Sequence, residues 1–210
     1  MAMAWVWTGM VVLSLVFGLF TGSLDAVANA ALEGALGAAL TAMVCALTVG
    51  KKKYADVQEL AIESQKKGNE LKAQFVDVID RDTEAFNAVS AVFAMPKDTD
   101  EEKAARKAAM QEALKGCTKT PFEMMELACQ ALELTRSVVG KLNASAASDL
   151  GCAALSLKAA IQGAWLNVLI NIGGIQDQAF ADEYRQKGQA LLDKALPLAD
   201  AIYQEVLESL

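Results

Sequence analysis

Any chemistry in this 210-residue chain has to run without histidine, because the sequence contains none. That removes Ser-His-Asp and Cys-His catalysis and nearly every zinc or non-haem iron site, so no metal centre is expected. Proton transfer then falls to Asp, Glu, Lys or Tyr. Titratable and amide groups gather in four places: Lys51-Lys52-Lys53-Tyr54, Asp82-Thr83-Glu84, Asn143 with Ser148-Asp149 just after it, and Asn167 with Asn171. On the residues alone, Asp149 is either a working carboxylate or part of an ordinary helix start, since Ser-Asp before an apolar run caps helices. Asp82 reads first as a solvated acid on an amphipathic face. The three lysines suit an anion or a proton shuttle, and equally a charged flank to the apolar segment before them. Asn167 and Asn171 are four apart and share a helix face. Their amides could read a polar ring edge or serve as core amides at a backbone break.

The elements that must position these groups are helices. The chain is 54% hydrophobic with 3 prolines, and no window alternates strictly at period two. A net charge of -7 argues against a nucleic-acid partner, which would need a basic face. Residues 1–24 carry no charge, and as a helix they would span about 36 Å, enough to cross a bilayer. Residues 26–49 are rich in Ala and Gly at spacings that allow close helix packing, and Gly50 ends that helix. An amphipathic helix starting at the lysines should run to Met95, where Pro96 breaks it. Asp98-Thr99-Asp100 should cap a charged helix over 101–116, and Pro121 should open the next over 121–141. Ser145 or Ser148 should cap a helix to Asn171, Gly173-Gly174 should break it, and a last helix should cover 178–208 with a bend or restart at Pro197. The expected fold is an all-α bundle of six to seven helices. Cys45, Cys117, Cys129 and Cys152 form no CxxC pair and read as buried free thiols in a reducing compartment.

Five ordered stretches resemble the cyclodeaminase/cyclohydrolase family of tetrahydrofolate enzymes: Leu47-Thr48-Val49-Gly50-Lys51-Lys52-Lys53-Tyr54, Asp82-Thr83-Glu84-Ala85-Phe86, Pro96-Lys97-Asp98-Thr99-Asp100-Glu101-Glu102-Lys103, Ser148-Asp149-Leu150-Gly151 with Asn143 upstream, and Leu166-Asn167-Val168 with Asn171. The likeness covers about 34–210. It implies a homodimer with a folate site between helices near the subunit interface, a tetrahydrofolate derivative as substrate, and no permanently bound cofactor. It also implies one of two reactions, hydrolysis of 5,10-methenyltetrahydrofolate to 10-formyltetrahydrofolate or closure of formiminotetrahydrofolate with release of ammonia. Both pass through a tetrahedral carbon between two nitrogens. With the resemblance, Asp149, Asp82 and Lys53 become the catalytic candidates. Lys51, Lys52, Tyr54, Asn143, Ser148, Asn167 and Asn171 become the substrate-binding ones, the lysines facing the glutamate tail and Asn167 and Asn171 the pterin.

The chain departs from the family at one point. A Pro-Gly-Gly-Gly-Ser turn normally precedes the helix matched by Ala30–Leu40, and here Asp25-Ala26-Val27-Ala28-Asn29 stands in its place. Such a loop offers free N–H donors to a ligand. Residues 1–33 instead resemble the start of spore maturation protein A, through Trp7-Thr8-Gly9 and Phe20-Thr21-Gly22-Ser23-Leu24-Asp25-Ala26-Val27. The expected organisation is therefore an apolar segment over 1–33 and a helical domain over 34–210. The expected location is cytoplasmic, with membrane association through 1–24 as the alternative. An inactive bundle anchored by that segment is the rival to the enzyme.

Overall fold

A computed structural model of the chain describes residues 26–210, so the expectations for residues 1–24 lie outside the described residues. Five α-helices follow in order: α1 (Ala26–Ala46), α2 (Gln58–Phe93), α3 (Asp100–Val138), α4 (Ala147–Ile172) and α5 (Gln178–Ser209). Short 3-10 turns at Lys52–Val57 and Ala144–Ala146 precede α2 and α4. No strand occurs among the described residues, and the all-α expectation holds. α1 packs between α2 and α4 and reaches α3 behind them, while α5 covers the joined faces of α3 and α4.

The Ala and Gly content of α1 lets larger neighbours approach its backbone. A Cβ at Gly34 would lie 2.3 Å from Cε1 of Phe75, and one at Gly37 would lie 2.5 Å from Cγ of Leu157. Phe75 and Leu157 are fully buried as a result, each contributing about 1.5–3 kcal/mol of apolar burial. Thr41 adds a polar contact to this core, its hydroxyl 2.8 Å from that of Thr135 on α3. By length and composition α1 and the stretch Ala144–Ile172 could each cross a membrane, but here they pack side by side. α1 runs unbroken through Glu33-Gly34, where the expected 1–33 segment gives way to the 34–210 domain.

Three expected boundaries are corrected. Pro121 does not open a helix; it lies inside α3, which runs from 100 to 138 without a break. Pro197 likewise lies inside α5, which does not restart there. α4 is not capped by Ser145 or Ser148. Asn143 caps the 3-10 turn, its side chain accepting from the Ser145 N–H, and Ser148 falls within the first turn of α4. The expected cap of α3 forms as a full capping box: Thr99 accepts from the Glu102 N–H, and Glu102 accepts from the Thr99 N–H at 3.0 Å.

Pro121 persists mid-helix because of a partner 50 residues away. Proline has no N–H, so the carbonyl four residues back, that of Cys117, loses its helical donor. Asn171 Nδ2 donates to that carbonyl at 2.8 Å. All four cysteines are free, and Cys152 is exposed on α4 rather than buried. Burial pushes the thiols of Cys45, Cys117 and Cys129 each up to about 11.

Candidate functional site

Lys51–Tyr54 and Asn143–Asp149 meet at one end of the bundle. Gly50, at a φ of +76°, turns the chain out of α1, and Gln58 fastens the loop that follows. Its Oε1 accepts from the Gly50 N–H at 2.7 Å, and its Nε2 donates to the carbonyls of Thr48 and Tyr54. The Thr48 hydroxyl donates to the Val44 carbonyl and accepts from the Asn143 N–H at 3.0 Å. Asn143 Nδ2 reaches the Leu47 carbonyl, and the Tyr54 hydroxyl accepts from the Ala144 N–H at 3.0 Å. These bonds lock the lysine loop against the entry to α4, whose first turn carries Ser148 and Asp149. The Ala144 N–H, and after it the charges of Lys53 and Lys51, hold the Tyr54 hydroxyl below its ordinary range. Asn143 is buried with both its amide oxygen and its amide nitrogen bonded, so it joins the two loops. Ser148 and the three lysines are exposed, and Asp149 is half-buried.

At the other end Asp82 and Asn171 both approach Cys117, and Asn167 lies one turn before Asn171 on α4. Asp82 on α2 faces Cys117 on α3 closely enough for its charge to raise that thiol. The Cys117 carbonyl holds Asn171, and Asn167 Nδ2 bonds back to the Gly163 carbonyl one turn earlier. Beside Asp82, Arg81 pins α2 to α3 through a two-pronged pair with Glu123, at 2.6 and 2.9 Å. Thr48, Gln58, Arg81 and Glu123 carried no separate signal in the sequence, because their partners are 42 or more residues distant or lie in a loop of no regular period.

One chain therefore does not bring its two candidate carboxylates together. Asp149 and Asn167 are 18 positions apart on a single helix, about 27 Å along its axis. Each end holds half of a constellation: lysines, a tyrosine and a carboxylate at one, a carboxylate and two amides at the other. Between them the outer faces of α1 and α4 expose a run of apolar side chains, including Leu32, Leu36, Met43, Leu155, Leu166 and Ile170. No cluster of three or more metal-ligating side chains occurs among the described residues.

The family described as Formiminotransferase-cyclodeaminase matches residues 28–190. The chain belongs to this family. It is 42% identical over 177 residues to a methenyltetrahydrofolate cyclohydrolase of Methylorubrum extorquens, spanning 84% of this chain and 85% of that one. It is 32% identical over 166 residues to the formimidoyltransferase-cyclodeaminase of Sus scrofa, but there the match spans 31% of the relative's length against 79% of this chain. The fold is similar to the crystal structure of formiminotetrahydrofolate cyclodeaminase from Thermotoga maritima, with a TM-score of 0.72 at 26% identity over 89% of this chain and 87% of that one. The family match begins at residue 28 and so takes in α1 from its third residue onward.

Proposed function

We propose that this chain is a folate one-carbon enzyme that hydrolyses 5,10-methenyltetrahydrofolate to 10-formyltetrahydrofolate. The observation that carries the reading is the 42% identity to a cyclohydrolase that the chain matches over nearly its whole length. Water adds to the cationic methenyl carbon between the two folate nitrogens, and a carboxylate accepts its proton. The tetrahedral carbon then releases the N5 nitrogen, which takes a proton, while its hydroxyl gives one up to become the carbonyl of the formyl group left on N10. The net change is uptake of one water and release of one proton.

In this reading Asp149 accepts the proton of water, and Lys53 relays it to solvent. Asp82 stabilises the amidinium-like cation, which a carboxylate does best away from bulk water. Lys51, Lys52, Tyr54 and Ser148 engage the substrate's polar groups on one side, with Asn143 holding their loop, and Asn167 and Asn171 face the pterin on the other. The two halves join across a homodimer. A two-fold axis through the outer face of α1 and α4 runs α4 antiparallel to its copy, bringing the Asp149 end of one protomer to the Asp82 end of the next. The exposed apolar run on that face supplies the burial such an interface needs.

Loss of methenyl absorbance in the presence of the purified chain tests the activity, and ammonia release from formiminotetrahydrofolate tests the sister reaction. Complementation tests the shared site. Asp149→Asn and Asp82→Asn should each be nearly inactive alone. Unfolded and refolded together in equal amounts, they should regain about a quarter of the activity, since half the dimers are mixed and each holds one intact site of two. No recovery from well-folded mixed dimers would refute the shared site.

A further inference from the structure

In the proposed hydrolysis N5 gains a proton as it leaves the tetrahedral carbon, and a nitrogen that leaves without one is a poor leaving group. In a chain without histidine the donors at hand are a phenol, an ammonium or a carboxyl. In the lysine loop beside the entry to α4 the phenol is Tyr54, and it is held at each of its polar atoms. Its N–H donates to the Lys51 carbonyl at 3.0 Å, its carbonyl accepts from Gln58 Nε2 at 2.8 Å, and its hydroxyl accepts from the Ala144 N–H at 3.0 Å. The residue is half-buried, and the Lys53 ammonium stands 5.4 Å from the ring centroid.

A phenol oxygen has one proton to give and lone pairs with which to receive. Here the oxygen receives, from a backbone N–H at the entry to α4, and among the described residues no acceptor takes the proton it carries. A hydroxyl that accepts a hydrogen bond is polarised toward release of its own proton. The Ala144 N–H acts on it from the α4 side, and the charges of Lys53 and Lys51 act in the same sense from its own loop, so the phenol sits below its ordinary range. The bond to Ala144 also ties the hydroxyl to the stretch that carries Asp149 five positions later, in the first turn of α4. A proton donor and a carboxylate are thus mounted on one short piece of backbone.

We infer that Tyr54 is the acid of this reaction, passing its hydroxyl proton to N5 as the bond between N5 and the tetrahedral carbon breaks. The role rests on the folate reading above and adds to it the residue that supplies the N5 proton. The electron pair of the broken bond stays on nitrogen and takes the phenol proton. The carbonyl of the formyl group forms as the tetrahedral hydroxyl loses its own. Water has then given up two protons, one to Asp149 and one from that hydroxyl. One of them returns to the Tyr54 oxygen through Lys53 and the other is released, which leaves the net change at one water taken up and one proton released.

Tyr54→Phe in the full chain should lower kcat about a hundredfold or more in the methenyl absorbance assay while KM changes little, since the loss falls on the step that breaks the bond. Phenylalanine also gives up the acceptor for the Ala144 N–H, so a second set of proteins keeps that acceptor: the full chain with mono-, di- or trifluorotyrosine at position 54. Fluorine lowers the phenol pKa stepwise and leaves the oxygen in place. The pH at which kcat falls on the alkaline side should move down in the same steps, because an ionised phenol has no proton to give. A hydroxyl that only holds the loop leaves that limb where it is. The rival is Asp149 acting alone, carrying the proton of water round to N5. It predicts unchanged kcat in a folded Tyr54→Phe chain and an alkaline limb indifferent to fluorine, and either result overturns the assignment. No loss of methenyl absorbance with the unaltered chain would overturn the folate reading and this role together.

Discussion

Replacing Asn171 by leucine removes the side-chain donor to the Cys117 carbonyl, the group that Pro121 deprives of its helical partner. Leucine keeps the size and helix propensity of the site, so the change isolates one hydrogen bond. Leaving a buried acceptor unpaired costs about 1–3 kcal/mol, and Cys117 is buried. Taking about 2 kcal/mol, and about 2–4 °C per kcal/mol for a chain of this size, Tm should fall by about 4–8 °C. The decisive measurement is the double-mutant cycle. In a Pro121→Ala background the N–H returns and the helix can close on Cys117 itself, so Asn171→Leu should cost far less, with a coupling of about 1–2 kcal/mol. Thermal and urea unfolding followed by circular dichroism give the four stabilities. Equal costs of Asn171→Leu in both backgrounds would refute the claim that the amide stands in for the missing proline donor.

Further expectations are independent of that pair. Asp149→Asn, which keeps size and capping ability, should lower kcat about a hundredfold or more in the methenyl absorbance assay, and unchanged kinetics in a folded variant would remove Asp149 from the mechanism. Gly34→Ala should lower Tm, because its Cβ would enter the fully buried Phe75 ring; overpacking of this sort costs about 1–3 kcal/mol. Leu166→Glu, on the outer face of α4, should shift sedimentation toward monomer and lower activity together, and a dimer of normal stability would relocate the interface. Stability should also decline as pH rises from about 9 to about 11. Cys45, Cys117 and Cys129 ionise later when folded than when unfolded, so their contribution is complete below the unfolded value and is lost above the folded one. Their conversion together to alanine should flatten that decline in Tm.

Where the deciding interaction was local, the sequence could be read correctly. Thr99 and Glu102 are three apart and form the capping box their spacing implies, and Gly173-Gly174 closes α4 where two glycines should. The readings that failed depended on residues far along the chain. Pro121 looks like a helix start until Asn171 is placed beside Cys117. Ser145 and Ser148 look like caps until Thr48 receives the Asn143 N–H from a loop 95 positions earlier. Motif order named the candidate site residues, yet it carried no information on which end of the bundle each would occupy. That Asp149 and Asp82 lie at opposite ends follows from α2 and α4 both setting out from the lysine-loop end, Asp149 in the first turn of α4 and Asp82 24 residues into α2, a property of topology and not of any motif.

The bonds between the Leu47–Tyr54 loop and Asn143–Ala144 also bear on how the molecule opens. Each loop lacks a regular ladder of its own, and each lends the other its missing partners through Thr48, Asn143, Tyr54 and Ala144. Neither can fray without stripping protection from the other. The two should behave as one cooperative unit in native-state hydrogen exchange. The Asn143 and Ala144 amides should then exchange in step with Gly50, whose N–H is held by Gln58, and at a rate set by a single opening event.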